Sequence, residues 1–204
     1  MPDQFQFASF RQYPQIAHGF IGRDSSLAEL KNQNFIISRQ AHDIKIYTLE
    51  KPFCGQQEID GYDGLTTRQK EITLVIQTAD CAPILFFDPR TQTIAAAHAG
   101  RAGTELGFAA KMVAQLSEVY SVNPADLLAG IGPAICANCY QIDRAQNIHY
   151  DLQAENQKQL TAAGVRNIEL SGLCTACNAV ERFYSYRREK TTRRNFAFIK
   201  LNQI

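Results

Sequence analysis

Three short apolar segments near the middle of the chain constrain the fold most. ITLVIQ spans residues 72–77, ILFFD spans 84–88 and TIAAAHA spans 93–99. The first two are apolar throughout, which is typical of strands that are covered on both faces. The turn DPRTQ joins the second segment to the third and predicts a β-hairpin. We therefore expect buried strands at the centre of the fold.

The rest of the chain alternates between strand-like and helix-like patterns. Two helices are predicted, one over 104–120 with Thr104 as its cap, and one from about Arg144 to Leu160 that contains His149. Further strands are predicted over 34–39, 43–49, 127–132, 165–173 and 195–201. The predicted fold is α/β (α+β type), a single layered domain over 1–204 with mixed β-sheets flanked by helices.

The charge balance excludes two broad classes of partner. The chain has 204 residues with 21 basic and 20 acidic side chains, a net charge of +1. A nucleic-acid or membrane-surface binder normally has a basic excess, so we expect neither partner. No signal peptide is recognisable, and no apolar run approaches the roughly 18 residues of a membrane span. We expect a cytoplasmic protein with six reduced cysteines and a small-molecule substrate.

The hairpin places Cys81 and His98 at one edge of the predicted sheet. Such strand ends are where α/β proteins carry reactive groups. In one interpretation His98 activates Cys81 as a nucleophile. In the other, both bind a metal ion such as zinc, and His42 is the best candidate for a third ligand. The spacing alone gives equal weight to a third interpretation, in which each of these residues has a separate structural role. Asp80, beside Cys81, could carry protons.

Two C-x-x-C pairs form a second candidate cluster. They are CANC (136–139) and CTAC (174–177), with 34 residues between them. Four thiolates bind zinc in closed structural sites, but the common ribbon pattern has a gap of roughly 15–20 residues. The spacing therefore favours isolated thiols over a zinc site.

Several arginines could bind an anion. Arg101 follows a glycine at a predicted helix start, where free N–H groups and a guanidinium together suit phosphate. Arg23 lies in a second glycine-containing turn, HGFIGR. The basic run RREKTTRR (187–194) is interpreted as a solvated surface loop, because the net charge is near zero.

Seven segments carry a resemblance to a known family. In chain order they are HGFIGR, QAHD, DGLTT, TADCAPILFFD, AAAHAGRAGT, GIGPAICANCYQI and FYSYRREKTTRR. They resemble the YfiH-type proteins, also called multicopper polyphenol oxidase or laccase-domain proteins, and more recently purine nucleoside phosphorylases. The resemblance implies a layered α/β fold and a zinc site made of His42, Cys81 and His98.

The resemblance also implies an activity. Family members cleave purine nucleosides with phosphate, deaminate adenosine or oxidise phenols with copper, and a role in editing peptidoglycan precursors is associated with bacterial members. We expect a zinc-dependent purine nucleoside phosphorylase with adenosine deaminase activity. The alternatives are a copper oxidase, a precursor-editing hydrolase, a Cys81–His98 thiol hydrolase and a zinc-stabilised binding protein. The family's usual HAGWRG is here HAGRAG, so Arg101 stands where the family has tryptophan and Ala102 where it has arginine.

Overall fold

Two β-sheets pack face to face, and helices cover the outer face of the second sheet. The structure is a computed structural model that describes residues 5–23, 27–30 and 33–203. This layering confirms the predicted fold class, a mixed α/β architecture with mixed sheets flanked by helices.

The first sheet has five strands in the spatial order β1-β13-β6-β2-β4. Its strands are β1 (Ile16–Ile21), β2 (Asn34–Arg39), β4 (Gln56–Asp60), β6 (Ile72–Thr78) and β13 (Asn195–Leu201). β13 lies antiparallel between β1 and β6, whereas β2 runs parallel to both β4 and β6. The sheet is therefore mixed, as the sequence predicts.

The second sheet has six strands in the order β12-β9-β7-β8-β5-β3. They are β3 (Ile46–Leu49), β5 (Gly64–Thr67), β7 (Ala82–Asp88), β8 (Thr93–Ala99), β9 (Leu128–Ile131) and β12 (Asn167–Leu170). β7 and β8 form the predicted hairpin. β9 and β12 are parallel neighbours at one edge, which matters for the cysteines that follow them.

Alternate residues of the central strands supply two different cores. Leu85 and Phe87 of β7 face the first sheet, where they pack with Leu74 and Ile76 of β6. Phe86, between them in sequence, faces the helices. The near-continuous apolar runs in the sequence follow from this burial on both faces.

The predicted helix over 104–120 is interrupted. The described residues form five helices, α1 (Ala8–Arg11), α2 (Arg101–Glu105), α3 (Phe108–Tyr120), α4 (Leu152–Ala162) and α5 (Tyr186–Glu189), with short 3-10 turns at Leu27–Leu30 and Ala137–Cys139. Gly107 adopts φ +76° and separates α2 from α3. Thr104 is therefore not a cap. It is buried within α2, and its hydroxyl accepts a hydrogen bond from Asn156 at 2.9 Å.

The predicted start of the last long helix, near Arg144, is wrong. A small hairpin of β10 (Gln141–Asp143) and β11 (Ile148–His149) occupies this stretch, and α4 begins at Leu152. Asp151 sets the start, because its carboxylate caps α4 by accepting from the Ala154 N–H. His149 consequently lies in a strand. In the described part of the chain, none of the helices is both long enough and apolar enough to span a bilayer.

Candidate metal centre and its cleft

The hairpin brings Cys81 and His98 together at the edge of the second sheet. Cys81 directly precedes β7, and His98 lies opposite Pro83 near the end of β8. His42 enters from the loop between β2 and β3. One possible ligand atom from each of these three side chains lies within 4.8 Å of the others. The structure thus places the three predicted ligands in one cluster.

Asp63 holds two members of this cluster in place. Its carboxylate accepts hydrogen bonds from the backbone N–H groups of Ala41, His42 and Asp43, at 3.1, 3.1 and 2.9 Å. These bonds support the left-handed backbone of His42, at φ 61°, which is uncommon outside glycine. The same carboxylate lies 2.8 Å from Nδ1 of His98. A single buried aspartate therefore sets the positions of both histidines.

The charges within the cluster support one another. Burial opposes ionisation of the Asp63 carboxyl group, but the bonds from His98 and the backbone outweigh it and lower its pKa. Burial likewise opposes a Cys81 thiolate, yet the charge of His98 and hydrogen bonds from both histidines lower the pKa of this thiol. Burial lowers the pKa of His98, but the Cys81 thiolate and Asp63 raise it by more. Without a metal, the cluster thus favours a thiolate–imidazolium pair.

This donor set fits a zinc ion. Two imidazoles and one thiolate are common zinc ligands, and three protein ligands are typical of catalytic zinc with an open position. Because Nδ1 of His98 faces Asp63, Nε2 is the nitrogen left for a metal, as in the usual carboxylate–histidine–zinc arrangement. Gly100 lies against the cluster, where a Cβ would stand 3.0 Å from Sγ of Cys81. The glycine at position 100 therefore leaves the sulfur of Cys81 accessible to a metal ion.

The cluster lines a cleft of about 760 Å³ that is rich in positive charge. Among the described residues that line it, five are basic and Asp80 is acidic. The basic residues are Arg39, Arg144, Arg187, Lys190 and Arg194. Arg39 is paired with Glu58, so the others supply most of the positive charge available to a ligand. Such a cleft favours the binding of an anionic ligand next to the His42–Cys81–His98 cluster.

Aromatic rings and Asp80 complete the walls. Tyr140 and Tyr186 line the cleft, and the Arg187 guanidinium lies 5.1 Å from the centre of the Tyr140 ring. Asp80 is buried, with one carboxylate oxygen 2.7 Å from the Thr175 hydroxyl and the other 2.6 Å from the Arg187 N–H. Asp80 thus anchors the basic segment to the base of the cleft.

The two arginines singled out in the sequence lie elsewhere. Arg23 forms an ion pair with Glu189 and donates to the carbonyl groups of Val180 and Phe183, and it is not among the residues that line the cleft. Arg101 is exposed at the start of α2. It pairs with Glu105 at 3.5 Å and reaches the side chain of Tyr140. Arg101 therefore stands at the rim.

Sequence reasoning missed two parts of the site. Asp63 was visible as the first residue of DGLTT, but nothing in the spacing connects it with His98. The interpretation of RREKTTRR as a solvated surface loop is incomplete, because Arg187 and Arg194 are half-buried and, together with the exposed Lys190, line the cleft. The net charge of the whole chain does not report how basic residues are distributed over its surface.

The expectation of isolated thiols is also wrong. Cys136, Cys139, Cys174 and Cys177 form a second cluster, in which the sulfur atoms lie within 4.8 Å of one another. The two pairs meet because each follows one of the parallel strands β9 and β12. The 34 residues between the pairs form the β10–β11 hairpin, α4 and β12, so their number does not prevent the two pairs from lying side by side.

The fold and the His42–Cys81–His98 cluster together define an α/β protein with a candidate metal site of two histidines and a cysteine in a basic cleft. A sequence model of the family described as multi-copper polyphenol oxidoreductase laccase matches residues 23–147 and 143–202. The chain belongs to this family, which confirms the resemblance seen in its motifs.

Several relatives carry names that describe an activity. The purine nucleoside phosphorylase YlmD of Geobacillus stearothermophilus is 33% identical over 82% of this chain and 72% of its own length. YlmD of Bacillus subtilis, with the same description, is 30% identical over 84% of this chain and 72% of its own length. The adenosine deaminase RL5, from an unknown prokaryotic organism, is 29% identical over 76% of this chain and 70% of its own length.

Solved structures share the fold. The hypothetical protein YfiH of Bacillus licheniformis superposes with a TM-score of 0.86 at 26% identity, over 99% of this chain and 97% of its own. YlmD of Geobacillus stearothermophilus superposes with a TM-score of 0.82 at 26% identity, over 93% of each chain.

Proposed function

We propose that this chain is a zinc-dependent purine nucleoside phosphorylase that cleaves adenosine- and inosine-type nucleosides with inorganic phosphate. The observation that carries the proposal is one cleft that is lined by both the His42–Cys81–His98 cluster and several basic side chains. Relatives named purine nucleoside phosphorylase support the choice of substrate.

His42, Cys81 and His98 would hold the zinc ion. When bound, zinc would supply positive charge that polarises a substrate oxygen or lowers the pKa of a water molecule. Asp63 keeps Nδ1 of His98 engaged, so that Nε2 stays directed to the cluster. Copper is the alternative ion, because imidazole and thiolate ligands suit it as well.

The basic wall suits phosphate, the second substrate. Arg187, Lys190 and Arg194 offer guanidinium and ammonium donors on one segment, and Asp80 fixes that segment through the Arg187 N–H. Arg101 at the rim is a further candidate contact, whereas the ion pair of Arg23 with Glu189 engages its guanidinium outside the cleft. Tyr140 and Tyr186 provide ring faces against which a purine can stack.

The reaction transfers the ribosyl group. A phosphate oxygen attacks C1′ of the ribose, the C1′–N9 bond breaks, and its electron pair leaves with the purine. The departing base takes a proton at a ring nitrogen. Asp80 is our candidate for the group that carries this proton, because it is the acidic residue among those described in the cleft lining. The products are ribose 1-phosphate and the free base.

Product analysis tests this proposal. Metal-loaded protein is incubated with adenosine or inosine, with and without phosphate, and we expect free base that appears when phosphate is present. Cys81→Ala should abolish it. Arg194→Ala should raise KM for phosphate by about 10–100-fold, the effect of losing one hydrogen bond to a charged group. Arg90→Ala removes an exposed arginine at a distant turn and should leave the kinetics unchanged. No base from a zinc-loaded sample contradicts the proposal.

Deamination is a second candidate, favoured by the similarity to the adenosine deaminase RL5. In that reaction water replaces the amino group of adenosine, and ammonia leaves while the glycosidic bond stays intact. The same incubation separates the two reactions. Ammonia and inosine without free base indicate deamination, and the rate should not depend on phosphate.

Phenol oxidation is a third candidate, which the description of the family favours. One cluster of two histidines and a cysteine offers few copper positions for four-electron reduction of oxygen, so we rank it below the other two. A copper-loaded sample that oxidises phenols, compared with a zinc-loaded sample that does not, would establish it.

A further inference from the structure

The second cysteine cluster lies outside the cleft and has no part in the proposed reaction. Cys136 directly precedes the 3-10 turn Ala137–Cys139 and Cys139 ends it, whereas Cys174 and Cys177 belong to the loop after β12. Their sulfur atoms come from two loops and all lie within 4.8 Å of one another. Such convergence of thiols needs an explanation, because thiolates at this spacing repel one another.

One sulfur–sulfur distance in the cluster has the value expected for tetrahedral zinc coordination. Zinc–sulfur bonds of about 2.3 Å place neighbouring sulfurs of a tetrahedral site about 3.8 Å apart. Sγ of Cys136 and Sγ of Cys177 are 3.8 Å apart. A disulfide would need an S–S separation of about 2.05 Å. The separation of this pair therefore fits a shared ion and not a disulfide bond.

Backbone donors already face one of the sulfurs. The N–H of Cys136 lies 3.3 Å from Sγ of Cys174, and the N–H of Ala176 lies 3.4 Å from the same atom. Backbone N–H groups directed at sulfur stabilise a thiolate, and this is the form in which cysteine binds a metal. Cys177 is exposed on a groove that Cys136 and Cys174 also line, which gives an ion a route of entry.

We propose that Cys136, Cys139, Cys174 and Cys177 bind a structural zinc ion, distinct from the His42–Cys81–His98 site. Four sulfur ligands close the coordination shell, so this ion would have no open position for substrate. The proposal stands whether or not the chain is a phosphorylase, because it depends on none of the residues of the cleft.

The site would fasten a loop that lines the cleft to a loop that supports one of the lining residues. Tyr140 follows Cys139 directly and lines the cleft. Thr175 follows Cys174, and its hydroxyl donates to Asp80 at 2.7 Å. The ion would thus connect the loop of Tyr140 to the loop that supports Asp80. Metal binding here contributes to folding, as in other small sites of this kind.

Metal content measured by mass spectrometry tests the proposal. The chain is purified anaerobically, and zinc per chain is compared for wild type, Cys177→Ser and Cys54→Ser. We expect Cys177→Ser to lose one ion per chain. Cys54→Ser is the matched control, an exposed cysteine outside both clusters, and should retain the wild-type content. Equal zinc content in wild type and Cys177→Ser overturns the proposal, as does iron in place of zinc.

A Cys81→Ala background separates the two sites. This variant should keep the four-cysteine ion, and Cys81→Ala/Cys177→Ser should keep neither. If Cys177→Ser does not fold, the comparison of zinc contents is replaced by the absorption spectrum of Cys81→Ala loaded with cobalt(II). The intense sulfur-to-cobalt charge-transfer and visible bands of a tetrahedral thiolate site are then expected. Their absence, or disulfide-linked cysteines without metal, overturns the proposal.

Discussion

Asp63→Asn tests the residue that holds both histidines of the proposed metal centre in place. The substitution keeps the size of the side chain but replaces one acceptor oxygen with an NH₂ group. Each oxygen of Asp63 accepts two bonds: Oδ2 from the N–H groups of Ala41 and Asp43, and Oδ1 from the N–H of His42 and from His98. Neither orientation of the amide satisfies all four donors.

The two orientations have different costs. With nitrogen in place of Oδ2, the N–H groups of Ala41 and Asp43 lose their acceptor, at about 1–3 kcal/mol each, or about 2–6 kcal/mol of folding stability. With nitrogen in place of Oδ1, the amide donates to Nδ1 of His98, which moves the ring proton to Nε2 and blocks the ligand atom. Loss of such an outer partner lowers metal affinity by about 10–100-fold.

Competition with a chelator measures the metal affinity, and denaturant unfolding measures the stability. Asp88→Asn is the matched control. Asp88 is another buried carboxylate, which accepts from the backbone of Arg90 and Thr91 at the opposite end of β7. The control should lose stability and retain metal affinity. If Asp63→Asn binds zinc as tightly as wild type and is also as stable as wild type in denaturant, neither cost is incurred and the reasoning is refuted.

Three further predictions follow from single contacts. Gly100→Ala should weaken metal binding and activity, because its Cβ would stand 3.0 Å from Sγ of Cys81. The control Gly103→Ala makes ordinary contacts at 3.4 Å or more and should be tolerated. Equal zinc affinities of the two variants in a titration would contradict this prediction. Burial lowers the pKa of His18 from 6.5 to about 4. Between these two pH values His18 is protonated in the unfolded chain but neutral in the folded chain. About 3 kcal/mol of the free energy of unfolding should therefore be lost as the pH falls from 6.5 to about 4. His18→Gln should flatten this part of the curve of unfolding free energy against pH; an unchanged slope would exclude His18 as its source. Asp151→Ala removes the cap of α4 and should cost about 1 kcal/mol in denaturant unfolding, with no loss of zinc.

The central hairpin and the meeting of Cys81 with His98 could be predicted from the sequence. The apolar runs of β7 and β8 and the turn between them fix the pairing, and the pairing brings Cys81 to His98. His42 could be suggested but not placed, because its position depends on a left-handed backbone held by Asp63. That contact joins residues with no local pattern in common.

Other parts depended on contacts between segments distant in sequence. The cysteine pairs meet through the parallel pairing of β9 and β12, which a count of intervening residues does not reveal. The start of α4 was misplaced because the helix-like spacing after Arg144 outweighed the capping residue Asp151. The place of the basic run in the cleft lining was not foreseen, because the contact with Asp80 that holds it there joins residues more than 100 positions apart.

Anomalous diffraction at the zinc absorption edge tests the central claim most directly. Crystals of the protein, loaded with zinc and washed free of excess metal, should show an anomalous peak at about 2.0–2.3 Å from Sγ of Cys81, Nε2 of His98 and a ring nitrogen of His42. Crystals of Cys81→Ala should lose that peak. A wild-type protein that releases purine base in the presence of phosphate, but has no peak among these three side chains, would contradict the account.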